Sequence, residues 1–143
     1  MSIDLTKANN DIPLFSLEGV FCECKVVNVY DGDTCKVVFP LHDKLYRWNV
    51  RLDGYDTPEM RPRRNKPNRE QEIVAAKEAK KFLKDLVMKS EEQLVYIKCK
   101  EFDKYGRLLA DLFICQDDKC SVNQMMIDNG HGYVYNGGTK KEF

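Results

Sequence analysis

The sequence predicts an α+β domain built on a five-stranded OB-type β-barrel with two helices. Five short segments alternate apolar and polar residues, one long segment repeats apolar residues at helical spacing, and a short amphipathic segment follows. These segments give the order β-β-β-α-β-β-α. Three strands in a meander, a helix and two further strands form the order of an OB-type barrel, which often binds nucleic acids or sugars.

The first half of the chain predicts the three-stranded meander. Its strands are expected at residues 20–29, 34–39 and 45–52. Asp31-Gly32 and residues 40–44 supply turns between them. In the third strand Trp48 and Val50 share one face and Arg51 lies on the other, so the meander has an apolar face and a polar face.

The second half predicts a long helix, two strands and a short helix. The long helix is indicated by apolar residues three and four positions apart: Ile73, Ala76, Ala79, Phe82, Leu83, Leu86 and Val87. Asn68 is expected to cap it. Alternation predicts strands at residues 94–100 and 107–115, and residues 122–129 read as the short helix. Residues 54–67 are expected to form a loop.

Length and composition indicate one folded domain, with residues 1–17 as a lead-in and residues 18–143 as the domain. Hydrophobic residues make up 43% and aromatic residues 10%, which is typical of globular rather than disordered chains. The 23 Lys and Arg residues balance the 23 Asp and Glu residues. A nucleic-acid partner would therefore be bound by a local basic patch. The zero net charge excludes a histone-like protein that binds nucleic acid through its overall positive charge.

The N-terminal residues are not typical of a secretory signal, because Asp4, Lys7 and Asp11 interrupt any apolar run. We therefore expect an intracellular protein of the cytoplasm or nucleus, although a removed signal would leave the same sequence. No run approaches the roughly 18 apolar residues of a membrane span, so no membrane partner is expected. We also expect a monomer.

The six cysteines are predicted to be free and buried thiols, because a core of this size does not need disulfides. Three bridges in a secreted protein are the alternative. A zinc site that includes Cys22 and Cys24 is a weaker alternative, because both residues lie on a predicted strand.

The sequence offers few residues for histidine-based hydrolysis and no glycine-rich loop for binding nucleotide phosphates. His42 and His131 are the only histidines and match no metal or triad spacing. The sequence contains neither the GxGxxG motif nor the P-loop motif, so it lacks the usual phosphate-binding loops of dinucleotide and NTP sites. Carboxylate and arginine chemistry remains.

Two motifs supply acidic residues. Asp31-Gly32-Asp33-Thr34 reads as a hairpin turn from which the Asp33 carboxylate would project from the barrel surface. Farther along, Arg51 precedes Asp56 and Glu59 in a Thr-Pro loop. Because Ca²⁺ prefers carboxylate and carbonyl oxygens, Asp33 and Asp56 would hold one if the strands bring them together. A salt-bridged loop is the alternative.

A third motif, residues 102–110, supplies a second arginine, Arg107, after a β-turn. Two arginines are suited to binding a phosphate and stabilising its growing charge. Two acids for a metal, one for a base and two arginines suit metal-assisted phosphodiester cleavage. An ordinary hairpin turn is the alternative for this motif.

Taken in order, these three motifs resemble the staphylococcal nuclease family over about residues 20–135. The resemblance implies an OB-fold barrel with two or three helices. It also implies a Ca²⁺-dependent nuclease that cleaves DNA and RNA, single-stranded or denatured strands preferred, with little sequence specificity and 3′-phosphate ends.

The resemblance also implies roles for the acidic side of the site. Asp33 and Asp56 match the calcium carboxylates, and Thr57 matches the residue that contributes its backbone carbonyl. Glu59 falls at the position of the general base, which orients or deprotonates the attacking water.

On the basic side, the resemblance assigns phosphate binding to Arg51 and Arg107, with Arg107 better suited to the transition state. Lys104 and Tyr105 match contacts to the nucleotide phosphate. Tyr133 matches a tyrosine beside the bound nucleotide, although packing within the barrel would explain it equally well.

Two regions depart from the family pattern. The chain ends soon after Tyr135, so the third helix is expected to be missing or replaced by residues 136–141. The predicted loop carries cations that would follow a nucleic-acid backbone or form a solvated mobile loop: Arg61, Arg63, Arg64, Lys66 and Arg69. A non-catalytic nucleic-acid or protein-binding module is the alternative function.

Overall fold

The computed structural model describes residues 3–89 and 91–135. Its strands are β1 (Phe21–Asp31), β2 (Thr34–Leu41), β3 (Lys44–Leu52), β4 (Tyr55–Asp56), β5 (Leu94–Phe102), β6 (Leu108–Phe113) and β7 (Tyr133–Val134). Its α-helices are α1 (Arg69–Val87) and α2 (Val122–Asp128), and Leu5–Lys7 form one 3₁₀ turn. The predicted order of long strands and helices is confirmed.

Five strands close into a barrel in the order β1-β2-β3-β6-β5. The meander pairs antiparallel, as does β5 with both β1 and β6. Closure comes from a short parallel pairing of β3 with β6, in which Val50 lies opposite Leu108. The predicted α+β fold with an OB-type barrel is therefore confirmed.

The core lies inside the barrel and under α1. Alternate strand residues point inward, including Val50, Leu52 and Ile97, each at most 1% exposed. The buried face of α1 includes Ala79 and Leu83, as its spacing predicts. Each fully buried aliphatic side chain contributes about 1.5–3 kcal/mol to stability, so this packing fixes the strand ends that carry polar side chains.

Two local features differ from the sequence prediction. Asn68 does not cap α1 with its side chain, because it adopts a left-handed conformation with φ 59°. Its backbone carbonyl instead accepts a hydrogen bond from the Glu72 amide at 2.9 Å. The second feature is the small antiparallel sheet of β4 and β7, whose two-residue strands are too short to produce a sequence pattern.

The six cysteines are free thiols. Cys24, Cys35 and Cys99 are buried, as predicted, whereas Cys115 and Cys120 are exposed. Burial raises the pKa of the Cys35 thiol to about 12, so this thiol is protonated and unreactive at neutral pH.

The predicted lead-in is exposed along residues 3–16 and joins the core at Leu17, which is 2% exposed. The expectation about a third helix falls on residues 136–143, which lie outside the described residues. Within the described part of the chain, no helix combines the length and apolar character needed to cross a membrane.

Candidate active site

A cleft of about 810 Å³ opens at one end of the barrel. It lies where the β1–β2 turn, the end of β3, the segment after β4 and the β5–β6 turn meet the side of α1. The predicted site residues that line it are Asp33, Arg51, Asp56, Thr57, Glu59, Tyr105 and Arg107. The fold thus gathers three sequence motifs that are far apart in the chain.

The β1–β2 turn is held tightly against its neighbours. A Cβ atom on Gly32 would lie 2.9 Å from side-chain atoms of both Ala79 and Thr57. The Tyr55 hydroxyl donates a hydrogen bond to the Gly32 carbonyl at 2.7 Å. Asp33 is consequently only 6% exposed, and the expectation that it projects from the barrel surface is wrong.

Arg51 joins the two carboxylates that the sequence assigns to a metal. Its Nη1 lies 3.3 Å from Asp33 Oδ2, and its Nη2 lies 3.6 Å from Asp56 Oδ1. The same Nη1 donates to the Leu52 carbonyl at 2.6 Å. Both ion-pair distances exceed the roughly 2.7–2.9 Å of a charge-assisted hydrogen bond, so one cation is shared between two buried acids.

The environment of Asp33 favours its protonated form. Burial, a hydrogen bond shared with Asp31 and the charge of Asp56 raise the pKa of Asp33 well above its ordinary value, and Arg51 opposes the rise. Asp31 accepts hydrogen bonds from the Asp33 amide and the Thr34 hydroxyl. Although burial alone would raise the pKa of Asp31, its hydrogen bonds with the Asp33 side chain, with Thr34 and with the Asp33 amide hold it below the ordinary value.

Glu59 reaches the cleft from a loop anchored on α1. Its side chain is exposed, and its backbone amide donates to Glu72 Oε2 at 2.9 Å. Glu72 is 2% exposed, and its Oε1 pairs with Lys66 Nζ at 2.7 Å. A buried carboxylate in the first turn of the helix therefore fixes the backbone that carries Glu59.

The cationic side chains of residues 61–69, hereafter the basic loop, have different environments in the structure. Lys66 binds Glu72, and Arg69 Nε donates to the Pro62 carbonyl at 3.2 Å. Arg61 lines the cleft, whereas Arg63 and Arg64 are exposed.

Glu72→Ala is expected to lower the free energy of unfolding by about 1–3 kcal/mol, because it leaves the half-buried Lys66 without this carboxylate. The Glu59 amide also loses its acceptor. Urea denaturation at neutral pH measures the change, with Glu70→Ala, an exposed glutamate of the same helical turn, as the control. Equal unfolding midpoints for the two variants would show that Glu72 does not hold the loop.

The β5–β6 turn presents Arg107 in a fixed orientation. Asp103 Oδ2 accepts from Arg107 Nε at 2.8 Å, and Asp103 Oδ1 accepts from the amides of Tyr105 and Arg107. Burial alone would raise the pKa of Asp103, but these hydrogen bonds and the Arg107 charge lower it. The Tyr105 ring is 72% exposed and lies 5.5 Å from the Arg107 guanidinium carbon.

Two predicted site residues stand beside the cleft rather than in its lining. Lys104 Nζ lies 5.2 Å from the centre of the Tyr105 ring. Tyr133 is half-buried in β7 opposite Asp56, and burial followed by the charge of Asp56 raises the pKa of its hydroxyl to about 12. Tyr135 lines the cleft in its place.

Sequence reasoning missed Lys80 and Tyr30, which also line the cleft. Lys80 is one of several lysines on the polar face of α1, and nothing in the sequence sets it apart. Tyr30 adjoins the Asp31-Gly32 turn and reads as an ordinary hairpin residue. An aromatic residue beside an acidic turn is the signal in the sequence that would have found it.

Comparison with known proteins relates the chain to a family model and to two Bacillus proteins. Residues 49–142 match the family model described as staphylococcal nuclease homologue. The chain is 35% identical over 124 residues to Endonuclease YncB of Bacillus subtilis, covering 81% of this chain and 53% of that protein. It is 34% identical over 110 residues to an uncharacterized Bacillus anthracis protein, covering 77% and 46% respectively. The chain thus spans about half the length of the curated relatives it matches.

Proposed function

Because the chain belongs to the staphylococcal nuclease family, we propose that it is a calcium-dependent nuclease. It hydrolyses phosphodiester bonds of DNA and RNA, prefers single-stranded or denatured strands, has little sequence specificity and leaves 3′-phosphate ends. The observation that carries the proposal is one cleft lined by two arginines, two buried aspartates and an exposed glutamate. Since one chain supplies that whole set, the proposed enzyme acts as a monomer.

The residues on the acidic side fit a calcium ion. Asp33 and Asp56 are buried carboxylates, and the Thr57 carbonyl adds an oxygen of the kind that Ca²⁺ prefers. Within residues 3–89 and 91–135, no three Asp, Glu, His or Cys side chains form a metal-binding group. Backbone and water oxygens would therefore complete a shell of roughly six to eight ligands.

A bound calcium ion would supply positive charge beside the reacting phosphate. Because the pKa of Asp33 is raised, calcium affinity is expected to rise with pH as this carboxyl loses its proton. The long Arg51 contacts to both carboxylates support a second role for this arginine, because it is placed to exchange a carboxylate for a substrate phosphate.

The chain's own residues then divide the work. Arg51 and Arg107 bind the phosphate, and Arg107 stabilises the charge that grows on its oxygens in the transition state. Glu59 orients a water molecule and accepts its proton as the water attacks phosphorus. The bond to the 5′ oxygen breaks, and the phosphate stays on the 3′ side. Lys104, Tyr105 and Tyr133 position the neighbouring nucleotide.

Cleavage of denatured DNA and of RNA in Ca²⁺ or in excess EGTA tests the proposal. We expect cleavage with Ca²⁺, none with EGTA, and 3′-phosphate products. Asp33→Asn should shift the calcium concentration for half-maximal cleavage upward, because a neutral amide binds Ca²⁺ more weakly than a carboxylate. Asp117→Asn, in an exposed turn, is the control. Binding of DNA without cleavage in Ca²⁺ would instead favour a non-catalytic module.

A further inference from the structure

We propose that a groove beside the cleft is a second nucleotide subsite, in which Tyr30 stacks on a base and Lys36 binds a phosphate. This groove, hereafter the side groove, has a volume of about 250 Å³. Its lining includes Tyr30, Asp31, Thr34, Lys36, Asn49 and Arg107. The inference rests on the proposed function, because it takes the occupant to be the nucleic-acid strand bound in the cleft.

The side groove adjoins the cleft. Tyr30, Asp31, Thr34 and Arg107 line both spaces. Arg107 is the proposed ligand of the scissile phosphate, so a strand held there lies next to the side groove.

A β-bulge directs Tyr30 toward this boundary. Val29 pairs with Cys35, but Asp31 pairs with Thr34, so Tyr30 is an extra residue in β1. Bulges of this kind re-aim side chains beside active sites. Tyr30 is 67% exposed, which leaves its ring available for stacking.

The walls of the side groove combine an aromatic face with polar groups. Lys36 and Asn49 lie opposite each other on β2 and β3 and offer a cation and an amide. Among the residues that the structure describes, the one acid in the lining is Asp31, which accepts hydrogen bonds from the Asp33 amide and the Thr34 hydroxyl. An aromatic platform beside basic side chains is the arrangement that binds single-stranded nucleic acid.

Oligonucleotides with one abasic position test the stacking contact. Binding of a fluorescent hexanucleotide series in Ca²⁺ is compared between the wild-type protein and Tyr30→Ala. For the wild-type protein, we expect one abasic position to lower affinity by roughly 5- to 150-fold. For Tyr30→Ala, we expect the intact and the abasic oligonucleotide to bind with equal affinity, because the variant has no ring on which the base could stack. Phosphorothioate linkages, which slow cleavage, keep the strands intact.

Two further variants separate stacking from a general effect on binding. Tyr30→Phe keeps the ring and should retain the abasic penalty. Tyr46→Ala removes another partly exposed tyrosine, at the β2–β3 hairpin, and should also retain it.

Lys36→Gln tests the phosphate contact. It should reduce the slope of log affinity against log salt by about 0.7, which corresponds to the loss of one phosphate contact.

The outcomes distinguish this inference from the proposed function. Coupling between Tyr30 and one base, together with no cleavage of unmodified denatured DNA or RNA in Ca²⁺, supports the subsite and overturns the nuclease proposal. Calcium-dependent cleavage with the same abasic penalties in wild type and Tyr30→Ala overturns the subsite alone. Absence of oligonucleotide binding by the wild-type protein overturns both.

Discussion

Glu59→Gln is expected to lower the turnover number for phosphodiester cleavage by roughly 10²- to 10⁴-fold, the usual contribution of a general base. The amide keeps the size of the side chain but cannot accept a proton from water. Glu59 is exposed, and its loop is anchored through its backbone amide on Glu72. The substitution should therefore leave that anchor in place.

Single-turnover cleavage of a short DNA strand at saturating Ca²⁺ measures this effect. Glu70→Gln is the matched control, because it removes one exposed carboxylate from the start of α1, outside the cleft lining. A Glu59→Gln rate within a few-fold of the control would remove Glu59 from the chemical step. Loss of affinity without loss of rate would make it a substrate-binding residue.

Arg107→Ala is expected to lower the turnover number by roughly 10²- to 10³-fold with a much smaller change in KM. Asp103 holds the guanidinium at 2.8 Å, so Arg107 is oriented before substrate binds. A donor fixed in this way costs little reorganisation as charge grows on the phosphate. Because the side chain is 37% exposed, its removal should hardly change stability.

Initial rates over a range of DNA concentrations separate the two kinetic constants. Arg64→Ala, which removes an exposed arginine of the basic loop, should leave both nearly unchanged. Arg107→Lys keeps the charge but loses the planar pair of donors, so it should recover only part of the rate. An increase in KM alone for Arg107→Ala would instead show that Arg107 binds the substrate phosphate without stabilising the transition state further.

The sequence determined the barrel and some of the residues that line its cleft, among them Asp33, Arg51 and Arg107. Strict alternation in β3 places Val50 inward and Arg51 on the polar face, and the structure follows that pattern. The Asp31-Gly32 turn likewise joins β1 to β2 in the predicted place. These features were readable because strand alternation and turn chemistry depend on neighbouring residues in the chain.

Only the tertiary structure decided the environment of those residues. Asp33 is buried because Gly32 allows its turn to pack on α1, which begins more than thirty positions later in the chain. The anchoring of Glu59 by Glu72, and the position of Lys80 in the cleft, depend on the same helix. Such contacts join segments distant in the chain, so no local pattern records them. Tyr30 escaped prediction because a bulge, set by pairing with β2, interrupts the alternation that would place its side chain.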